Sequence, residues 1–225
     1  FGTTGQRCTA ASRLIVHEKI YNEFAERLVA RAKTLKVGDG LKGGEMGPCV
    51  SKSQRAKVHE YVEIGQKEGA KLLHGGHELT DGDLANGWFY APTVFGDVDQ
   101  NMRIAQEEIF GPVTALIKCR DLEDAIAIAN NTDYGLSAAI YTQDINRAHT
   151  FIRDAYYGIN YVNAPTIGAE VHCPFGGTRA TGNGHREASE TALEIFTEWK
   201  TIYIDYSGVL QKAQIDHPGD HGETP

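Results

Sequence analysis

The sequence predicts an α/β fold: an open, mostly parallel twisted sheet with helices on both faces, followed by a C-terminal strand that pairs outside that layer. Three observations carry this. From about residue 110 to 163, short β-branched runs alternate with segments of helical periodicity, an order that calls for parallel strands joined by crossover helices. Two earlier segments, 18–36 and 51–69, each combine an apolar stripe at helical spacing with a closing glycine. Residues 201–206, TIYIDY, alternate like a strand but come after the last helix, where only something outside the layer can pair with them.

Taken in order, SRLIV at 12–16 is rich in branched residues and too short for a helix, so it reads as a buried strand. The helix at 18–36 sets Ile20, Phe24, Leu28 and Ala32 on one stripe with Tyr21, Ala25 and Leu35 beside it, and Gly38 ends it. In the helix at 51–69, Ser51 and Ser53 offer the N-cap, Val58, Tyr61, Val62 and Ile64 the apolar face, and Gly69 the stop. KLLHGG at 71–76 is a strand entering a turn. After a polar loop at 77–87, WFYAPTVFGDV is aromatic and β-branched, but Pro92 limits part of it to an edge strand or an extended segment. A strand at 113–119 precedes a helix at 122–131 with Leu122, Ala125, Ile126 and Ala129 on one face. A strand at 136–142, a helix at 144–155 and a strand at 158–163 complete the alternation. Residues 164–188 are irregular and dense in glycine, 187–197 form one more helix, and the tail DHPGDHGETP is disordered.

Composition narrows the function. A chain of 225 residues, 41% apolar, can bury roughly 70% of its unfolded surface and needs no staples. A formal charge of −8 and a pI near 5.6 argue against nucleic acid, because phosphate backbones need a concentrated positive field. No stretch approaches the ~18 apolar residues of a membrane span, and no basic-then-apolar leader opens the chain. A cytoplasmic protein with no membrane partner is expected. Cys8, Cys49, Cys119 and Cys173 are scattered without a C-x-x-C pair, as a reducing compartment leaves them, and no disulfide is expected. The chain opens on Phe1 and holds only Met46 and Met102, so it reads as a piece of something longer.

An arbitrary cysteine is a small buried hydrophobe, but Cys8 stands in FGTTGQRCTA. Gly5 permits close backbone approach, Arg7 supplies a neighbouring cation, and small residues follow. Such a turn favours a thiolate and aims it at a carbonyl carbon. The pattern F-x-x-x-G-Q-x-C, complete in Phe1, Gly5, Gln6 and Cys8, resembles the active-site cysteine signature of the NAD(P)-dependent aldehyde dehydrogenases. QEEIFGPV at 106–113 resembles that family's segment under the cofactor's nicotinamide ribose. YVNAPTIGAEVHCPFGG at 161–177 resembles its V-N…P-F-G-G substrate loop. The three motifs stand in the family's order, and the resemblance extends from Phe1 to about Tyr206.

The resemblance implies roles. Cys8 corresponds to the nucleophile, Glu108 to the carboxylate on the nicotinamide ribose hydroxyls of NAD or NADP, and Phe110 to the ring packed beside the nicotinamide. Asn163 and Phe175 correspond to positions lining the substrate side, although Phe175 reads equally well as core. The implied reaction is attack of Cys8 on an aldehyde, loss of hydride to leave a thioester, and release of the acid by water that a carboxylate activates. Residues 1–196 would be the catalytic domain, and 197–225 the oligomerisation strand and tail of a homo-oligomer, dimer or tetramer. In the family the general-base glutamate, the oxyanion-hole asparagine and the dinucleotide-binding half precede the cysteine motif. This chain begins at that motif, so it is expected to need that half as a partner and to be inactive alone. Glu107 is a poor replacement base, since adjacent residues of an extended segment point apart.

Arg7, Thr166 and His172 are candidates for the substrate's far end. The loop resembles those of semialdehyde-oxidising branches, including α-ketoglutaric semialdehyde dehydrogenases, and a carboxylate tail would suit a cation near the pocket. Arg7 could equally face away and bond local carbonyls. The glycines of GGTRATGNG at 176–184 hint at a phosphate loop, but Asn183 stands where lysine is needed, and a left-handed turn entering the helix near 187 is the better reading. His172, Cys173 and His185 lack metal-ligand spacing, so no metal is expected. Two other readings stay open: a CoA-acylating relative that passes the thioester on Cys8 to coenzyme A, and a non-catalytic oligomerisation module that adds TIYIDY to a neighbour.

Overall fold

The computed structural model describes residues 1–208. Strand β1 (Arg13–His17) leads to helix α1 (Tyr21–Thr34); α2 (Lys52–Lys67) precedes β2 (Lys71–His74) and β3 (Thr93–Gly96). The one-turn α3 (Arg103–Gln106) precedes β4 (Val113–Cys119), followed by α4 (Leu122–Asn130), β5 (Ser137–Ile140), α5 (Ile145–Asp154), β6 (Ile159–Val162) and the short α6 (Leu193–Phe196). Local chemistry sets the helix ends. Ser51 Oγ accepts from the Gln54 N–H at 3.1 Å, and Asp121 accepts from the Asp124 N–H at 2.8 Å. Gly69 leaves α2 with φ of +98°.

Four strands form one sheet in the order β1-β4-β3-β2, with only the β2–β3 pair antiparallel. Strand alternation sorts their side chains onto two faces. Leu14, Val16, Val94 and Leu116 meet Tyr21, Ala25, Leu28, Val29 and Ala32 of α1. Ile15, Phe95, Ala115 and Ile117 meet Val58, Tyr61 and Val62 of α2 on the other side. Helices therefore cover both faces, as the pattern predicts. The buried stripe of α1 is turned from the predicted one: Ile20 and Phe24 are exposed, at the rim of a cleft.

The layer is not continuous, however. β5 and β6 pair in parallel as a separate two-stranded sheet. The reason is that β4 is hydrogen-bonded along both edges, by β1 and β3, so β5 has no edge of β4 to join. α4 is shared between the two parts. Its Ile128 enters the large core, while Ile126 packs with Phe151 of α5 and Ala138 and Ile140 of β5.

Two further expectations need correction. β3 is an interior strand, buried throughout, because Pro92 falls just before it, where a missing N–H breaks no ladder bond. The helix expected at 187–197 shrinks to a 3-10 turn (Glu190–Ala192) and α6, entered through left-handed Ala188 and Ser189 at φ of +61° and +51°. Residues 201–206, expected to pair outside the layer, are exposed and pair with neither sheet of the single chain. The tail expected to be disordered lies outside the described residues. No described helix is long and apolar enough to cross a membrane.

Buried Tyr21 ties the layers together: its hydroxyl accepts from the Asp97 N–H at 2.7 Å and reaches the Leu116 carbonyl at 3.4 Å. Lys118 Nζ lies over the Tyr21 ring and pairs with Asp97 at 2.6 Å. Tyr21→Phe is expected to destabilise the fold by about 1–2 kcal/mol, because the Asp97 N–H loses its acceptor; urea unfolding checks this.

Candidate active site

Backbone conformation places Cys8. Thr3, Thr4 and Gly5 follow one another in the left-handed region at φ of +52°, +59° and +66°. That sequence folds the chain into a tight turn, and a Cβ on Gly5 would lie 2.0 Å from the Gly111 carbonyl oxygen. Two side chains pin the turn to the loop before α2. Thr4 Oγ1 donates to the Gly47 carbonyl at 3.1 Å, and the Gln6 amide donates to the Pro48 carbonyl at 3.2 Å while accepting from the Val50 N–H at 2.9 Å. A second turn, closed by the Ala10 N–H on the Arg7 carbonyl, presents Cys8 to solvent while Thr9 is buried.

The second half of the site follows α3. Glu107 is extended, with its carboxylate held by Arg103 at 2.8 and 3.0 Å and by the Tyr61 hydroxyl at 2.6 Å. These donors pull the Glu107 carboxyl down to about 2. Glu108, next along the extended chain, is exposed, and its carboxylate has no hydrogen bond or ion pair among the described residues. Phe110 is left-handed at φ of +57°. The Gln54 amide holds this bend by donating to the Ile109 and Phe110 carbonyls, both at 2.9 Å. Sequence reading did not single out Gln54. The only signal was its place one turn before Val58, which the apolar face concealed.

One cleft of about 740 Å³ brings these halves together. Arg7, Cys8, Glu108, Phe110 and Thr166 all line it, and Thr166 Oγ1 donates to the Thr9 carbonyl at 2.7 Å, fastening the loop after β6 to the cysteine turn. Arg7 is exposed on this wall and bonds no carbonyl among the described residues. Asn163, His172 and Phe175 are not on the wall. The Asn163 amide is turned back onto Thr142, donating to its carbonyl at 2.9 Å and accepting from its N–H at 2.8 Å. His172 is exposed on the loop, and half-buried Phe175 pairs its backbone with Glu187. An unbonded carboxylate and a ring on the wall shared with an exposed thiol suit a ribose diol and a flat heteroaromatic ring, so the residues present fit the nicotinamide end of a dinucleotide. No group of three metal-ligating side chains occurs among the described residues.

Two expectations follow from these environments. Cys49 and Cys119 are buried and burial pushes their thiols up, whereas Cys8 and Cys173 are exposed. Iodoacetamide near neutral pH should label Cys8 and Cys173 and spare the other two, read by peptide mass mapping. Glu107, whose ordinary value is 4.5, contributes stability that is complete above that value and lost as the pH falls toward about 2. Glu107→Gln should cost about 1 kcal/mol at pH 7, after allowance for its partial exposure, and the difference from the parent should vanish in acid.

The geometry agrees with relatives of known structure. The chain matches the aldehyde dehydrogenase family over residues 1–202. It is 47% identical over 207 residues to the alpha-ketoglutarate semialdehyde dehydrogenase of Haloferax volcanii, covering 92% of this chain and 43% of that protein. Against the alpha-ketoglutaric semialdehyde dehydrogenase of Bacillus subtilis it is 45% identical over 205 residues, 91% of this chain and 42% of that one. HpcC from Thermus thermophilus superposes with a TM-score of 0.86 at 41% identity, over 90% of this chain and 40% of its own. The betaine aldehyde dehydrogenase of Staphylococcus aureus, solved in complex with NAD+, gives 0.83 at 34% identity, over 86% and 38%. The chain thus spans about four-tenths of the length of the relatives it matches. With motif, fold and cleft in agreement, the chain belongs to the aldehyde dehydrogenase family.

Proposed function

We propose that this chain carries the nucleophile and the nicotinamide-facing carboxylate of an NAD(P)+-dependent aldehyde dehydrogenase acting on a semialdehyde. The observation that carries the reading is the shared cleft, in which Cys8 and Glu108 face one space because their loops touch at Gly5 and Gly111.

Cys8 thiolate adds to the aldehyde carbon, and the oxyanion is held by the Cys8 backbone N–H and an amide side chain that the family resemblance places before the cysteine motif. NAD(P)+, when bound, supplies the hydride acceptor. Glu108 would hold the ribose hydroxyls and Phe110 would wall the ring, on the same cleft as Cys8. The thioester left on Cys8 is then hydrolysed to the acid, using a base that the resemblance also places before the motif. Glu107 is not that base, because Arg103 and Tyr61 occupy its carboxylate. Arg7, exposed on the cleft wall, suits the carboxylate of a semialdehyde, and two of the relatives are named for such a substrate.

The reading extends to assembly and location. Phe196, Trp199, Tyr203 and Ile204 are exposed along one C-terminal stretch, which supports strand exchange in a homo-oligomer, dimer or tetramer. All four cysteines are free thiols, which supports a reducing cytoplasm.

In the complete enzyme Cys8→Ala should abolish oxidation while NAD(P)+ binding stays measurable; retained turnover would leave only a non-catalytic module. Glu108→Gln should slow single-turnover hydride transfer about 10- to 100-fold, read at the reduced-nicotinamide absorbance. The product is expected to be the free acid; acyl-CoA formed in the presence of coenzyme A would move the chain to the acylating branch. These 225 residues by themselves should show no turnover.

A further inference from the structure

Among the described residues nothing bonded to the Glu108 side chain sets its direction, yet the backbone around it is fixed residue by residue from one stripe of α2. Tyr61 reaches the Glu107 carboxylate at 2.6 Å, Lys57 Nζ donates to the Glu108 carbonyl at 3.2 Å, and Gln54 donates to the Ile109 and Phe110 carbonyls at 2.9 Å. Positions 54, 57 and 61 lie three and four residues apart, so they share a helix face, and the loop runs antiparallel along it. Of these contacts, only the one at Glu107 grips a loop side chain, and it is doubled. Arg103 closes on the same carboxylate with two bonds from α3, and the Arg103 N–H is itself held at 2.9 Å by Glu68, the residue that caps the C-terminus of α2. Glu107 has the extended dihedrals −108° and 150°, so its neighbour's side chain must leave the opposite side of the backbone. Both glutamates border the cleft, but of the two only Glu108 brings a side chain there with no bonding partner among the described residues.

We propose that Glu107, gripped by Tyr61 and Arg103, is the positioning residue that turns Glu108 into the cleft. The proposal rests on the reading of Glu108 as the cofactor carboxylate. With its carboxylate occupied by Tyr61 and Arg103, Glu107 acts through Glu108, whose direction it sets. The geometry also explains why two adjacent glutamates have different fates: the one with donors on both sides is spent on the scaffold, and the one without is left free for the ligand.

The test uses the holoenzyme. Glu107→Ala is expected to slow hydride transfer at saturating NAD+ by about 10-fold or more, as misplacement of a positioned group does, while leaving the alkylation rate of Cys8 within about twofold. Without cofactor, amide exchange across residues 107–110 should speed up about threefold or more. Glu107→Gln, which keeps an oxygen for the Tyr61 O–H, should recover hydride transfer to within about threefold of the parent. If Glu107→Ala does not fold, Tyr61→Phe removes one grip and keeps the ring, and is expected to slow the hydride step about threefold. An unchanged hydride step in either variant, alongside a slowed Glu108→Gln, overturns the clamp and leaves the role of Glu108 standing. An unchanged Glu108→Gln overturns that role and the clamp with it.

Discussion

Gly5 approaches the Gly111 carbonyl so closely that no side chain fits between them, and both motifs of the site depend on that contact. Gly5 lies three residues before Cys8, and Gly111 three after Glu108. Backbone touching backbone is the shortest link two loops can make, so the thiol and the carboxylate emerge on either side of one cleft. Gly111 is constrained from behind as well: a Cβ there would stand 2.3 Å from Val58 Cγ2 in α2. The turn at Thr3, Thr4 and Gly5 carries left-handed strain in two non-glycine residues, and Thr4 and Gln6 offset it with bonds to the loop at 47–50.

α2 serves both loops. Its buried face, Val58 and Val62 with Tyr61, anchors it on the four-stranded sheet through burial of apolar area. Its N-terminal side holds the cysteine turn through Val50 and the carboxylate loop through Gln54. A helix fixed by its core face can therefore transmit that rigidity to two irregular segments that have little core of their own.

The split of the strands into two sheets gives the cleft its far wall. β4 is saturated, β1 has an outer edge unpaired among the described residues, and the cleft lies between that edge and β5. Arg13 spans the gap at one end, donating from β1 to the Ile128 and Ala129 carbonyls at 3.1 and 2.9 Å and to the Tyr157 hydroxyl at 3.0 Å. One guanidinium with five donors suits this task, because the carbonyls at the C-terminus of α4 have no partner within the helix.

The sequence by itself determined most elements, because strands, helices and their ends follow from short-range patterning: β-branched runs, i to i+4 stripes, and caps such as Ser51 and Gly69. It also singled out Cys8 and Glu108 as candidates, through the resemblance of the motifs around them to those of a known family. Tertiary structure alone decided the rest. That β5 leaves the main sheet depends on β4 having two partners, and that Asn163 turns back onto Thr142 depends on a pairing between strands about twenty residues apart. Gln54 and Tyr61 gained their roles only when α2 packed against the loop after α3, whereas the Arg103–Glu107 pair is local, four residues apart. A hydrogen bond between residues some fifty positions apart leaves no periodic trace in either segment, so it becomes visible only once the chain has folded.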